Sequence, residues 1–204
     1  EHTNFGDLSP GIQTGSCHDT GGGWAVAFNA HTSQLHPVPH GFSDEDAVMI
    51  EPAACGVHAA FAAQVPDNGV VTVLGAGTLG LVTIAALRAY TSPRIIVATA
   101  RHQSQRSLAV QLGADLVVAP DEVRRAVRRA AGTRAISQRG ESRAGAVDRL
   151  TGGADIVVDC VGSSSSLTSA LAVARPGGRI VLVGMPTVVE LELTPLWHRE
   201  LELV

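Results

Sequence analysis

Lysine is absent: all 15 basic residues among the 204 are arginine. That excludes Schiff-base catalysis and a phosphate-loop lysine. Cysteine is scarce, and Cys17, Cys55 and Cys160 form no spaced framework, which fits a reducing compartment. No apolar run is long enough to span a bilayer, and no basic-then-apolar leader opens the chain. A cytoplasmic location with no membrane partner is therefore expected. Positive charge is not in excess either: the formal net charge of −4 argues against nucleic acid as the main partner. A hydrophobic share of 45% and a mean hydropathy of +0.20 describe a globular chain able to bury one good core. The chain opens on Glu1 and closes on Leu-Glu-Leu-Val204, which reads as the start of a strand. Both ends point to a piece of a longer protein.

What is present is organised around Val70–Gly80, VVTVLGAGTLG. Val70–Leu74 reads as a buried strand that runs into Gly75-Ala76-Gly77-Thr78-Leu79-Gly80, and an apolar helical run, Leu81–Tyr90, follows. A lone Gly-x-Gly-x-x-Gly is weak in a chain with 22 glycines. A strand before it and a helix after it turn it into a dinucleotide-binding fingerprint, the alternative being a plain strand-to-helix turn. In that fingerprint the first glycine allows the tight turn, the second lets backbone approach a pyrophosphate, and the third lets helix pack on strand. The helix N-terminus then offers free N–H groups to phosphate.

From Val70 onward strands alternate with helices. The strands are Val70–Leu74, Arg94–Thr99, Leu116–Ala119, Asp155–Cys160 and Arg179–Val183, and the helices are Leu79–Tyr90, Gln103–Leu112, Glu122–Ala131 and Ser165–Val173. This rhythm predicts an α/β fold, a parallel sheet covered on both faces. Val188–Leu193 and Leu201–Val204 read as further strands. Thr133–Arg149 interrupts the rhythm, and Glu122–Arg149 holds eight arginines, at 124, 125, 128, 129, 134, 139, 143 and 149. These make either an anion-binding patch or a solvated helix face followed by a mobile loop. Before Val70, Glu1–Gly23 reads as loop, and Trp24–Ala30 and Leu35–Val38 as short strands. Ser43 reads as a helix N-cap followed by Asp44, Glu45 and Asp46, and Pro52 as part of the first turn of a helix Pro52–Gln64. Cys17 and His18 have metal-binding chemistry, but no second cluster at zinc-finger spacing.

Several stretches occur in the order seen in one family. They are Gly21-Gly-Gly-Trp24-Ala, His36-Pro-Val38-Pro, Ser43–Ala47, Glu51-Pro52 with Cys55-Gly-Val-His58-Ala, the Gly75–Gly80 loop, Leu112-Gly-Ala-Asp115, Gly153-Ala-Asp155 with Asp159-Cys-Val-Gly162, and Arg175–Gly184. On them the chain resembles zinc-type members of the medium-chain alcohol dehydrogenase superfamily across nearly its whole length. The resemblance implies a doubly wound Rossmann sheet over residues 70–204, a connecting helix over 51–69, and the remnant of a barrel-like, β-rich catalytic domain over 1–50. Of the family's catalytic zinc ligands only the last, an acidic residue, has a match here, Glu51. Cys55 is out of register, and neither a Gly-His-Glu segment nor a four-cysteine structural-zinc lobe occurs. Zinc is thus expected of the family and not of this chain.

The second strand ends in Thr99-Ala100-Arg101, with no acid to bind a ribose 2′-OH. Arg101, with Arg106 further on, is the candidate for a 2′-phosphate, so NADP is expected before NAD. The resemblance also lays Cys160, Val161 and Gly162, and Val183, Gly184 and Met185, along the cofactor. Cys160 reads as a small buried hydrophobe, and His58 as a packing or cofactor contact. Three functions follow. One is a hydride-transferring oxidoreductase, or a fragment of one, acting on an alcohol or carbonyl. The second is a catalytically silent nucleotide-binding module. The third is a zinc-free quinone-reductase type, against which Glu51-Pro52 speaks. Alternation in Val188–Leu193 and the family's habit of pairing this region across a two-fold axis predict a homodimer.

Overall fold

The computed structural model describes residues 15, 21–136 and 149–204. Cys17, His18, Arg139 and Arg143 lie outside the described residues. The chain divides into two compact units, Glu1–Val48 and Met49–Val204.

In the second unit, side-chain alternation along each strand builds two cores. β1 (Val70–Leu74) is buried throughout. Val71 and Val73 face one layer, with Ile96, Ala98, Ile156 and Val158 of neighbouring strands. Val70 and Leu74 face the other, with Val97, Val157 and Ile180. Helices α2 (Ile50–Ala63), α3 (Thr78–Tyr90) and α4 (Gln103–Gln111) supply Ala59, Ile84, Leu87 and Ala109 to the first layer. Helices α5 (Val123–Ala130) and α6 (Ser164–Val173) supply Val123, Val127, Leu171 and Val173 to the second. Strands apolar on both faces need helices on both faces.

The other strands of the sheet are β2 (Ile95–Thr99), β3 (Leu116–Val118), β6 (Ala154–Asp159), β7 (Ala174–Leu182) and β8 (Glu202–Leu203), in the order β3-β2-β1-β6-β7-β8. All neighbouring pairs are parallel. This is the doubly wound order, and the chain reverses direction across the sheet between β1 and β6. β4 (Ala135–Ile136) and β5 (Arg149–Leu150) form a separate antiparallel pair at the ends of the interrupting stretch. No described helix is long and apolar enough to cross a membrane.

Three strand expectations fail. Val188–Leu193 carries no ladder: one of its N–H groups, that of Glu190, donates instead to the Ser164 hydroxyl at 3.1 Å. Alternation marks a segment suited to pairing, but a strand exists only once a partner strand lies alongside. The sheet edge is β8, within the expected Leu201–Val204. In the first unit, Trp24–Ala30 and Leu35–Val38 are likewise irregular among the described residues, with a short 3-10 turn at Thr32–Gln34. Trp24 and Val26 are fully exposed, so no facing layer takes up their apolar side chains. The Ser43 cap is present: its hydroxyl accepts the Asp46 N–H at 3.1 Å and opens α1 (Asp44–Ala47).

Candidate functional site

The loop between β1 and α3 is held by Thr99, the last residue of β2. The Thr99 hydroxyl accepts the Gly75 N–H at 2.9 Å, and its carbonyl accepts the Ala76 N–H at 2.8 Å. The three glycines serve different purposes. Gly75 has φ +89°, and a Cβ there would meet Val161 Cγ2 at 2.4 Å. A Cβ on Gly80 would lie 1.8 Å from the Gly75 carbonyl oxygen, so helix and loop touch backbone to backbone. Gly77 is unlike both. Its φ of −78° suits any residue, and a Cβ on it would meet no described residue within 4 Å. The fold has no need of glycine at 77; the space beside it is open. Gly77 is also the N-cap of α3 and offers no side-chain cap, so the first-turn N–H groups are left to an outside acceptor.

Across the loop, the end of β6 is pinned by Asp159, which is fully buried. One carboxylate oxygen accepts the Val161 and Gly162 N–H groups at 2.9 and 3.2 Å, and the other accepts the Ser166 hydroxyl at 2.8 Å. Ser163 and Ser166 cap α6 reciprocally, Ser166 N–H to Ser163 Oγ at 3.1 Å and Ser163 N–H to Ser166 Oγ at 2.9 Å. The next side chain, Cys160, is inert. Burial pushes its thiol up to about 12, so it stays protonated, with the S–H directed at the Thr83 hydroxyl.

Between these two loops lies a cleft of about 600 Å³. It sits outside the carboxyl ends of β1 and β6, where doubly wound sheets take ligands. Of the residues singled out from the sequence, Gly75, Ala76, Gly77, Thr99, Arg101, Cys160 and Val161 line it together. Arg101 is exposed, and Arg106 is turned back, its Nε donating to the Ala100 carbonyl at 3.2 Å. Thr78, Leu79, Gly80, Gly162, Val183, Gly184 and Met185 do not line the cleft. The first three belong to the start of α3, and Gly162 packs against Gly184 backbone. Met185 is 90% exposed.

The 127 residues from 78 to 204, more than half the chain, match the family model described as zinc-binding dehydrogenase. The chain belongs to the zinc-binding dehydrogenase family. A relative named sorbitol dehydrogenase from Arabidopsis thaliana is 33% identical over 168 residues, covering 82% of this chain and 43% of that protein. One named L-idonate 5-dehydrogenase from Vitis vinifera is 33% identical over 176 residues, covering 85% and 44%. Among solved structures, L-idonate 5-dehydrogenase of Escherichia coli superposes with a TM-score of 0.64 at 26% identity, covering 84% and 44%. The chain spans less than half the length of these relatives.

The family's name raises the question of zinc. Glu51 lies exposed in the first turn of α2, and the Cys55 S–H donates to its Oε1 at 3.5 Å. Burial, then the Glu51 charge, raises the Cys55 thiol above its ordinary value. His58, on the same helix, is exposed. Among the described residues no three His, Cys, Asp or Glu side chains come together as a metal site. These donors do not fit a zinc ion, which takes three or four protein ligands.

Sequence reasoning missed part of the cleft wall: Gln105, Asp121, and Ser163, Ser165, Ser166 and Ser169 of α6. A signal was present for the serines, because the run Ser163–Ser166 follows Gly162 directly at a strand end.

Proposed function

We propose that this chain is the nucleotide-binding part of an alcohol dehydrogenase and holds NADP(H) in the cleft between β1 and β6. The observation that carries this reading is Gly77, whose missing side chain leaves open space that no described residue fills. A pyrophosphate there would meet the uncapped start of α3, whose N–H groups and dipole favour an anion. Thr99 and Asp159 act as positioning groups: Thr99 accepts the Gly75 and Ala76 N–H groups, and Asp159 accepts those of Val161 and Gly162 and the Ser166 hydroxyl. Arg101, an exposed guanidinium on the cleft wall, supports a 2′-phosphate and so NADP over NAD. When bound, the nicotinamide supplies or accepts a hydride. The sorbitol and L-idonate dehydrogenases named above support a polyhydroxylated alcohol, or its carbonyl form, as the substrate class.

A homodimer belongs to the same reading. By alternation Val188, Glu190 and Glu192 share one face and Val189, Leu191 and Leu193 the other; the first three and Leu193 are exposed, and Val189 and Leu191 are half-buried.

Titration with NADPH and NADH, followed by the change in nicotinamide fluorescence, tests the binding reading. Saturable binding with NADPH preferred supports it, and no binding of either sinks it. A dehydrogenase assay with sorbitol then separates an enzyme from a module that binds without turnover.

A further inference from the structure

Helix α5 has chemically opposite faces. Val123, Ala126 and Val127 are buried in the core, and Arg124, Arg125, Arg128 and Arg129 occupy the rest of its surface. Arg124 with Arg128, and Arg125 with Arg129, are like charges four residues apart, which repel across one turn. Arg124 and Arg125 also sit in the first turn, where the helix dipole disfavours a cation. The fold does not relieve this. Among the described residues, no carboxylate or carbonyl accepts from these four side chains or from Arg134 just beyond them. One Arg124 guanidinium nitrogen is enclosed without any acceptor. Adjacent acids are engaged elsewhere: Glu122 accepts the Ala119 N–H at 3.2 Å, and Asp121 lines the cleft. Arg94 adds a cation at the far end of the helix, donating to the Ala130 carbonyl at 3.0 Å.

The occupant follows from the chemistry of this face. None of these arginines lines the cleft between β1 and β6, and Arg125 and Arg129 are exposed, so a partner meets them from open solvent. A partner must carry its negative charges repeated along its length. Arg125 and Arg129 stand about 6 Å apart along the helix axis, comparable to the spacing of successive phosphates on a strand. Guanidinium pairs with phosphate through two parallel N–H bonds. The helix offers no aromatic ring on which bases could stack and no exposed large apolar side chain to enter lipid.

We propose that the arginine face of α5 binds the phosphate backbone of nucleic acid without reading bases. The chain's net charge of −4 keeps the contact weak and sensitive to salt, because the attraction is local to one helix.

The test is fluorescence anisotropy of a labelled DNA duplex of about 20 base pairs, titrated with the full chain from about 20 to 200 mM salt. Wild type should bind with log K falling against log salt at a slope of about −2 to −3. The Arg125→Gln/Arg129→Gln variant should bind about 10-fold more weakly at the low-salt end, with the slope reduced by about 2. Its melting temperature should stay level or rise, since exposed like charges are removed. Saturating NADPH should leave duplex binding intact. Variant binding equal to wild type, a lowered melting temperature, or competition by NADPH would each overturn the proposal. So would tighter binding to polyglutamate or to phosphatidylserine vesicles than to the duplex.

Discussion

Asp115 and Asp155 perform the same task at two places in the sheet. Each follows a Gly-Ala pair at the start of a parallel strand and accepts a backbone N–H from the strand beside it. Asp115 takes the Ile96 N–H at 2.7 Å, and Asp155 takes the Val70 N–H at 2.8 Å. Each also holds an arginine, Arg88 in the first case and Arg175 at 2.6 Å in the second. The carboxylates stitch β3 to β2 and β6 to β1 at the end of the sheet opposite the cleft.

Both protected N–H groups are buried, Val70 being 4% and Ile96 0% exposed. Asp155→Ala should therefore destabilise by about 1–3 kcal/mol, the cost of a buried donor without an acceptor. Asp155→Asn keeps an acceptor and loses the partly exposed ion pair, so about 0–1 kcal/mol is expected. Urea unfolding at constant m measures both. Equal losses for the two variants would show that the ion pair, not the N–H bond, is what matters.

The glycines of the loop should separate into two classes. Gly77→Ala should leave the melting temperature unchanged and weaken NADPH binding at least 10-fold. Gly80→Ala forces backbone apart and should cost about 1–3 kcal/mol of stability or more. A Gly77→Ala variant that binds NADPH like wild type would remove the observation on which the cofactor reading rests.

Arg101→Ala should narrow the preference for NADPH over NADH. Loss of one charge-assisted phosphate contact corresponds to about 1.5–3 kcal/mol in NADPH binding, with NADH little changed. An unaltered ratio would mean that the 2′ position is read by another group.

Cys160 makes a prediction about pH. Its thiol is raised from 9.0 to about 12 by burial, so the folded state holds this proton more tightly than the unfolded state does. The stability from this group is fully present below 9.0 and is lost as the pH rises from there towards 12. Urea midpoints should fall over that interval in wild type and fall less in Cys160→Ala. At neutral pH a thiol reagent should modify Cys55, which is partly exposed, well before Cys160. Rapid labelling of Cys160 in the folded chain would contradict its raised thiol.

Light scattering addresses the homodimer. Leu191→Pro removes one N–H donor from Val188–Leu193, and should shift a wild-type dimer towards monomer. A wild-type monomer, or a variant that remains dimeric, would locate any interface elsewhere.

The sequence by itself determined the doubly wound half. Five-residue apolar blocks, helical periodicity and the glycine spacing are local properties, and tertiary packing agreed with each of them from Val70 to Leu182. The cap at Ser43 is local in the same way, since a hydroxyl and the N–H three residues on need no distant partner. Tertiary structure alone decided the rest. Thr99 closes the second strand in the sequence, but only the sheet order, with β2 beside β1, commits its hydroxyl to the Gly75 N–H while it lines the cleft. The serines of α6 face Arg101 across a cleft that exists only because β6 crosses to the far side of β1. Val188–Leu193 alternates as a strand should and carries no ladder, and Trp24–Ala30 likewise. A strand is a relation between two segments, and hydrogen bonds to a neighbour cannot be read from one segment's own residues. Glu51 kept its expected place at the start of α2, but whether donors converge on it depends on distant parts of the chain, and among the described residues no three such donors come together.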